Sequence, residues 1–187
     1  MVFSPFHSIP PSRSSSIIIF PTRSVSKTSS NDRVKPGKSG LKPTYYTRHH
    51  PSESKRDTLV PIIAPASTLP PTAPVPEKEG TTELIPINQD LRFFASILSP
   101  GKSVEYTFQD AGERLGYIHL AQMSGYNPGE ETGGAKVDVG GKEIREGDGL
   151  FVRGAKKGDR VVFENKGDVD AEFVWFEMGQ NGGANLK

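Results

Sequence analysis

The sequence predicts an all-β domain of two antiparallel sheets over residues 83–180, preceded by a long arm that lacks the pattern. Three observations carry the prediction. In Lys136–Val139 the apolar Val137 and Val139 alternate with Lys136 and Asp138, the period-two signature of a half-buried strand. Glycines at 140, 141, 147 and 149 supply the positive φ angles that tight hairpins need. Turn signals recur roughly every eight to twelve residues, the spacing of a sandwich or barrel.

The elements follow in order. ELIPI enters the domain near Glu83, and LRFFASIL (91–98) reads as a strand with Leu91, Phe93, Ala95 and Ile97 on one face. Ser99-Pro100-Gly101-Lys102 is a turn with proline at its second position. Residues 103–108 form the next strand and Asp110-Ala111-Gly112 the next turn. Residues 115–123 alternate Leu115, Tyr117, His119 and Ala121 with Gly116, Ile118, Leu120 and Gln122, so both faces read as partly covered. Residues 124–134 are a polar hairpin loop around Asn127-Pro128-Gly129. After the glycine turns come strands at 150–153, 160–165 and 171–178, the last of them, AEFVWFEM, the most aromatic. Seven of the ten phenylalanines and the single tryptophan fall in this body, so one core is well supplied. Residues 181–187 are a loose tail.

Composition separates the arm from the body. Thirteen of sixteen prolines precede Gly80, and residues 1–60 hold ten Lys/Arg against three Asp/Glu, a basic arm on an acidic body. Residues 1–30 are serine-rich, carry Arg13, Arg23 and Lys27, and contain no acid, the composition of a mitochondrial leader. Pro5, Pro10, Pro11 and Pro21 interrupt the amphipathic helix that such a leader forms, so the preferred reading is a disordered arm. Tyr45-Tyr46 lie among dispersed basic residues with no recognition module around them, which argues against nucleic acid as a partner. Adjacent His49 and His50 point to opposite sides of an extended chain and make a poor metal pair. Residues 61–80 read as a proline-rich linker of polyproline II character, and residues 1–80 together as disordered arm and linker. No cysteine is present, which excludes disulfides and thiolate metal sites. No apolar run reaches the ~18 residues needed to span a membrane as a helix. Ile17-Ile18-Ile19-Phe20 is too short for a secretory signal. The expectation is an intracellular protein, cytoplasmic or nuclear, with the mitochondrion as alternative.

The run GERLGYIHLAQMSG…AKVDVGGKEIREGDGLFV, closed by AEFVWFEM, resembles the C-terminal cupin domain of the pirin-like family, two-domain cupins that include bacterial quercetin dioxygenases. The resemblance covers about Glu83–Met178 and implies a small cupin-type jelly-roll barrel. A metal-binding cupin uses an HxH pair, a nearby glutamate and a third histidine one hairpin later, a set suited to Fe, Mn, Ni or Cu. Here Thr107, Phe108 and Gln109 stand near the HxH position, and GDGLFVRGAKKGD has lysine and glycine at the third-histidine position. In the family the metal belongs to the N-terminal cupin. Only Asn31–Gly40 (NDRVKPGKSG) looks like a trace of that domain, in the form N-E-D-R-V-x-P-G-x-G. That trace implies a two-domain ancestor whose metal half was lost by deletion or by an error in the reading frame.

Tyr117 and His119 are the candidate pocket residues, His119 being the body's only histidine. The functional reading makes His119 an acid/base or polar group inside the barrel beside Tyr117. The preferred reading is a core histidine bonded to a neighbouring backbone group. No catalytic residue, metal ligand or cofactor is expected. The expected function is a metal-free structural or protein-interaction module that associates with itself or with a protein partner through an exposed sheet. Two alternatives stand beside it: part of a quercetin dioxygenase-like oxidoreductase missing its metal cupin, and a small-molecule binder using the barrel interior.

Overall fold

A computed structural model describes residues 17–20, 40, 49–69, 84–121 and 134–179. Their eleven strands are β1 (Ile17–Phe20), β2 (Val60–Pro65), β3 (Ile85–Ile87), β4 (Leu91–Leu98), β5 (Ser103–Thr107), β6 (Glu113–Leu120), β7 (Lys136–Val139), β8 (Glu143–Arg145), β9 (Gly149–Lys156), β10 (Arg160–Asn165) and β11 (Ala171–Gly179). A short helix, α1 (Ser52–Lys55), and a single 3-10 turn at Ala66–Thr68 complete the described elements. No helix among the described residues is long and apolar enough to cross a membrane.

The strands form a seven-stranded sheet, β1-β9-β6-β11-β4-β2-β3, and a four-stranded sheet, β5-β10-β7-β8. All pairings are antiparallel except β2 with β3. The period-two pattern decides what lies between them. On β11, Ala171, Phe173, Trp175 and Glu177 point inward; on β4, Phe94, Ser96 and Leu98 do; on β6, Gly116, Ile118 and Leu120. The smaller sheet contributes Tyr106, Val137, Val139, Ile144, Val161 and Phe163 to the same core. Its outer face is mostly polar, with Glu105, Thr107, Asp138, Arg160 and Glu164 around an exposed Val162. The larger sheet is apolar on both faces, because Leu91, Phe93, Ala95, Val174, Phe176, Leu115, Tyr117 and Phe151 occupy its outer side.

Two glycines are required by geometry. A Cβ on Gly116 would overlap Cη2 of the Trp175 side chain, so glycine here is what lets the indole lie across β6. Gly154 (φ +73°) sits in a β-bulge where the β6–β9 register slips, from Arg114↔Ala155 to Gly116↔Val152.

The arm-and-linker expectation is corrected at two places. Residues 60–65, read as polyproline II linker, form β2 and pair with β4 in the register Val60↔Ala95 and Pro61↔Phe94. A register shift between Pro61 and Ile63 accommodates the proline, which cannot donate to the ladder. The preceding turn is tied down as well. Asp57 N–H donates to Ile97 O at 2.8 Å, Ser99 N–H donates to Asp57 Oδ1 at 2.8 Å, and Lys55 Nζ meets Glu172 Oε1 at 2.9 Å. Isolated, these short apolar groups could not offset their ordering entropy; beside β4 they complete an existing ladder. Ile17–Phe20, read as arm, forms β1 against β9 because a β-branched run meets an open strand edge. Residues 1–16, 21–39, 41–48 and 70–83, the 124–133 loop and residues 181–187 lie outside the described residues. Limited proteolysis is therefore expected to yield a resistant fragment that retains residues 49–69. A fragment starting near Glu83, with 49–69 cut as fast as a free peptide, would show that β2 does not hold the sheet edge.

Candidate functional site

The place to look for chemistry is the barrel interior, where β5 and β6 would present ligands to a cupin metal. The chain fills it with rings. Tyr106, Phe108, Phe163 and Trp175 contact one another at centroid separations of 5.0–5.9 Å, mostly edge to face. Thr107 and Gln109, flanking Phe108, are exposed. No group of three or more His, Cys, Asp or Glu side chains among the described residues could hold a metal ion. Among the described residues, then, the interior presents rings where a redox metal needs several imidazole and carboxylate donors, and those residues do not fit the group.

At one end of the barrel lies a buried ionic network that the sequence reading missed. Glu177 is 0 % exposed and Arg114 2 %. Arg114 Nε donates to Glu177 Oε1 at 2.7 Å, while its two terminal nitrogens grip the Asp90 carboxylate at 2.7 and 2.8 Å. The other Glu177 oxygen accepts from the Tyr106 hydroxyl, and the Gln109 N–H donates to it at 3.3 Å. Arg92 holds Asp110 through a second two-pronged pair at 2.7 and 3.1 Å. Desolvation, reinforced by the bond to Glu177, pushes the Tyr106 hydroxyl far above the ordinary phenol range, so it remains a donor. Each Glu177 oxygen has donors. The network pins β5, β6 and β11 to the Asp90 turn.

The Arg92 guanidinium keeps the Asp110 carboxyl below the usual carboxylate range. A depressed folded-state pKa contributes stability above the unfolded value, near about pH 4, and loses it as pH falls through the folded value. The urea midpoint is therefore expected to drop steeply below about pH 4, and Asp110→Asn to be less stable at pH 7 with a shallower acid limb. Parallel acid limbs for the two chains would rule this carboxylate out.

The expected pocket of Tyr117 and His119 inside the barrel is corrected. On β6 the inward positions belong to Arg114, Gly116, Ile118 and Leu120, so Tyr117 and His119 stand half-buried on the outer face. The two phases of this strand are similarly apolar in sequence, and only the pairing with β11 decides between them. His119 lies between Val174 and Gly149, and its Nδ1 has no hydrogen-bond partner among the described residues. The core placement of the histidine is corrected with it. Tyr117 belongs instead to an aromatic row across four strands. Phe93 and Phe176 are 4.7 Å apart between centroids, Phe176 and Tyr117 6.0 Å, and Tyr117 and Phe151 4.6 Å, with Arg153 5.7 Å above the Phe151 ring. Gly149 makes room for the row, since a Cβ there would overlap the Tyr117 hydroxyl. His49 is exposed and His50 half-buried ahead of α1.

Two open clefts lie at the surface. One, of about 620 Å³, is bounded by Leu59, Phe94, Tyr106, Phe108, Gln109 and Lys157 at the barrel mouth. The other, of about 560 Å³, lies between the Ala66–Thr68 turn and the Asp90, Asp110 and Arg114 side chains.

Two facing sheets around one aromatic core, the smaller sheet polar outside, define a cupin-type barrel. The family model described as "Quercetinase C-terminal cupin domain" matches residues 75–178, more than half the chain, and the chain belongs to that family. The crystal structure of YhhW from Escherichia coli is similar over 76 % of this chain and 46 % of its own, with 17 % identity and a TM-score of 0.52. The structure of the same bacterial pirin in complex with nickel(II) is similar over 77 % and 47 %, with 17 % identity and a TM-score of 0.51. At that identity the likeness shows the fold, and the chain spans about half the length of these structures. No curated protein matches.

Proposed function

We propose that this cupin domain works without a bound metal, as a protein-binding module whose contact surface is the outer face of the seven-stranded sheet. The observation that carries the proposal is the half-buried row Phe93–Phe176–Tyr117–Phe151 on a face whose reverse side is already the core. Aromatic side chains supply large contact area at low entropic cost, and interfaces are enriched in them. The ring-filled interior supports the same reading by leaving no donor set for a redox ion. The nickel-bound relative favours a competing reading, in which the domain is part of a metal-dependent oxidoreductase of quercetinase type.

In a purified sample the available protein partner is a second copy of the chain. Sedimentation is expected to show reversible self-association at tens of micromolar, reduced at least tenfold in Phe176→Lys with an unchanged far-ultraviolet spectrum. A strictly monomeric chain with no binding of an apolar dye overturns the interaction surface. Elemental analysis is expected to find no stoichiometric Fe, Mn, Ni or Cu, and quercetin to cause no oxygen uptake. A stoichiometric transition metal would restore the oxidoreductase reading.

A further inference from the structure

The sheet edge beyond β9 is a place where this fold can accept another chain. β1 lies there in the antiparallel register Ile17↔Val152, Ile18↔Phe151, Ile19↔Leu150 and Phe20↔Gly149, and among the described residues β9 is its only neighbour in the sheet. Among the described residues the pairing spans Gly149, where β9 starts, to Val152, just before the bulge at Gly154. Between Phe20 and His49 run 28 residues, a contour long compared with the ~4.8 Å spacing of neighbouring strands. β1 is thus an intramolecular strand that, among the described residues, meets β9 through a four-residue ladder. Without it, the N–H and C=O groups on that side of β9 are an unpaired template.

We propose that the edge of β9 over Gly149–Val152 is a strand-accepting site. It takes an extended run of β-branched and aromatic residues from another polypeptide in place of β1. Main-chain bonds would give the affinity, and β-branched or aromatic chemistry, of which the Ile-Ile-Ile-Phe run already seated there is the example, would select the ligand. In the intact chain β1 competes as part of the same polypeptide, at a local concentration that a free peptide has to exceed. The site therefore opens to ligands that outcompete β1, or when β1 is displaced. It shares Phe151 with the proposed aromatic contact face but engages the main chain of β9, so Phe176→Lys tests the face without touching the edge.

The test uses a dye-labelled peptide of residues 15–22, SSIIIFPT, read by anisotropy against the full chain. Of two adjacent N–H groups in a strand only one faces β9, so Ile18→Pro/Ile19→Pro removes the ladder whichever faces inward. This variant is expected to bind the peptide saturably and at least tenfold more tightly than the unaltered chain. The same peptide with both prolines is expected not to bind. Equal affinity for the two chains, or no binding to the variant, overturns the proposal. A second measurement does not depend on the proline variant folding. The chain has no cysteine, so Phe151→Cys is a unique handle. A peptide with cysteine at the Ile18 position, opposite residue 151, should form the mixed disulfide at least tenfold faster than one with cysteine at the Ile19 position, opposite Leu150, since successive strand positions project to opposite faces. Equal rates mean that the peptide does not sit in this register, and overturn the proposal too. Peptide binding that persists in Phe176→Lys, where self-association is lost, tells the two proposals apart.

Discussion

Arg114→Ala is expected to lower the unfolding free energy by about 3–5 kcal/mol, the cost of breaking a buried pair by removing one partner. The deletion strands Glu177, fully buried on the inward face of β11, with its charge no longer matched by a guanidinium. It also frees Asp90 from a two-pronged contact that positions the turn before β4. Glu177→Leu should be costly for a different reason, because it leaves the Tyr106 hydroxyl without its acceptor inside the core. The double variant Arg114→Ala/Glu177→Leu should then lose less than the two single losses added, with a coupling of about 0.5–3 kcal/mol. Urea unfolding of the four chains measures the cycle. A loss below about 1 kcal/mol for Arg114→Ala, the size of an exposed ion pair, would mean that water reaches the network in solution.

Trp175→Ala is expected to cost a comparable amount, about 3–5 kcal/mol, because it empties the centre of a ring cluster that includes Tyr106, Phe108 and Phe163. The informative partner is Gly116, whose missing Cβ is the space the indole occupies. Gly116→Ala alone should cost about 1–3 kcal/mol through overpacking. In a Trp175→Phe background the colliding ring atoms are gone, and the same alanine should cost much less. Thermal unfolding of the pair reads this directly. An alanine equally costly in both backgrounds would place the cause in the backbone at position 116 rather than in the indole.

Much of this architecture was legible because strand periodicity and turn glycines are local. Leu91–Leu98, Lys136–Val139 and Arg160–Asn165 were bounded from pattern alone, and the ends of Ala171–Gly179 to within one residue. What was not legible depends on partners distant in the chain. Val60–Pro65 looks like linker until β4 is beside it, and Ile17–Phe20 looks like arm until β9 is. Residues 115–120 have two apolar phases, and choosing the core phase requires the register with β11. That choice moved Tyr117 and His119 from the interior to the outer face. The ionic network did leave a signal. Glu177 shares its phase with Phe173 and Trp175, and Arg114 shares its phase with Ile118 and Leu120. A charge standing in an apolar phase must find a partner of opposite sign, and two such positions on strands that pair imply each other.

The place of β11 in the larger sheet has a consequence for how the molecule is made. It lies between β6 and β4, joined to each along nearly its whole length, and it is the last described strand to leave the ribosome. Until residues 171–179 emerge, β4 and β6 have no common neighbour, the ring cluster lacks Trp175 and Phe173, and Arg114 has no Glu177. The nascent chain must therefore carry a double-sided apolar sheet in two unjoined pieces, with strand edges open to any neighbouring polypeptide. Closure waits on contacts between residues some fifty to ninety positions apart, the kind of topology that folds slowly. A chaperone that shields β4 and β6 during translation would act on this protein at its most exposed moment.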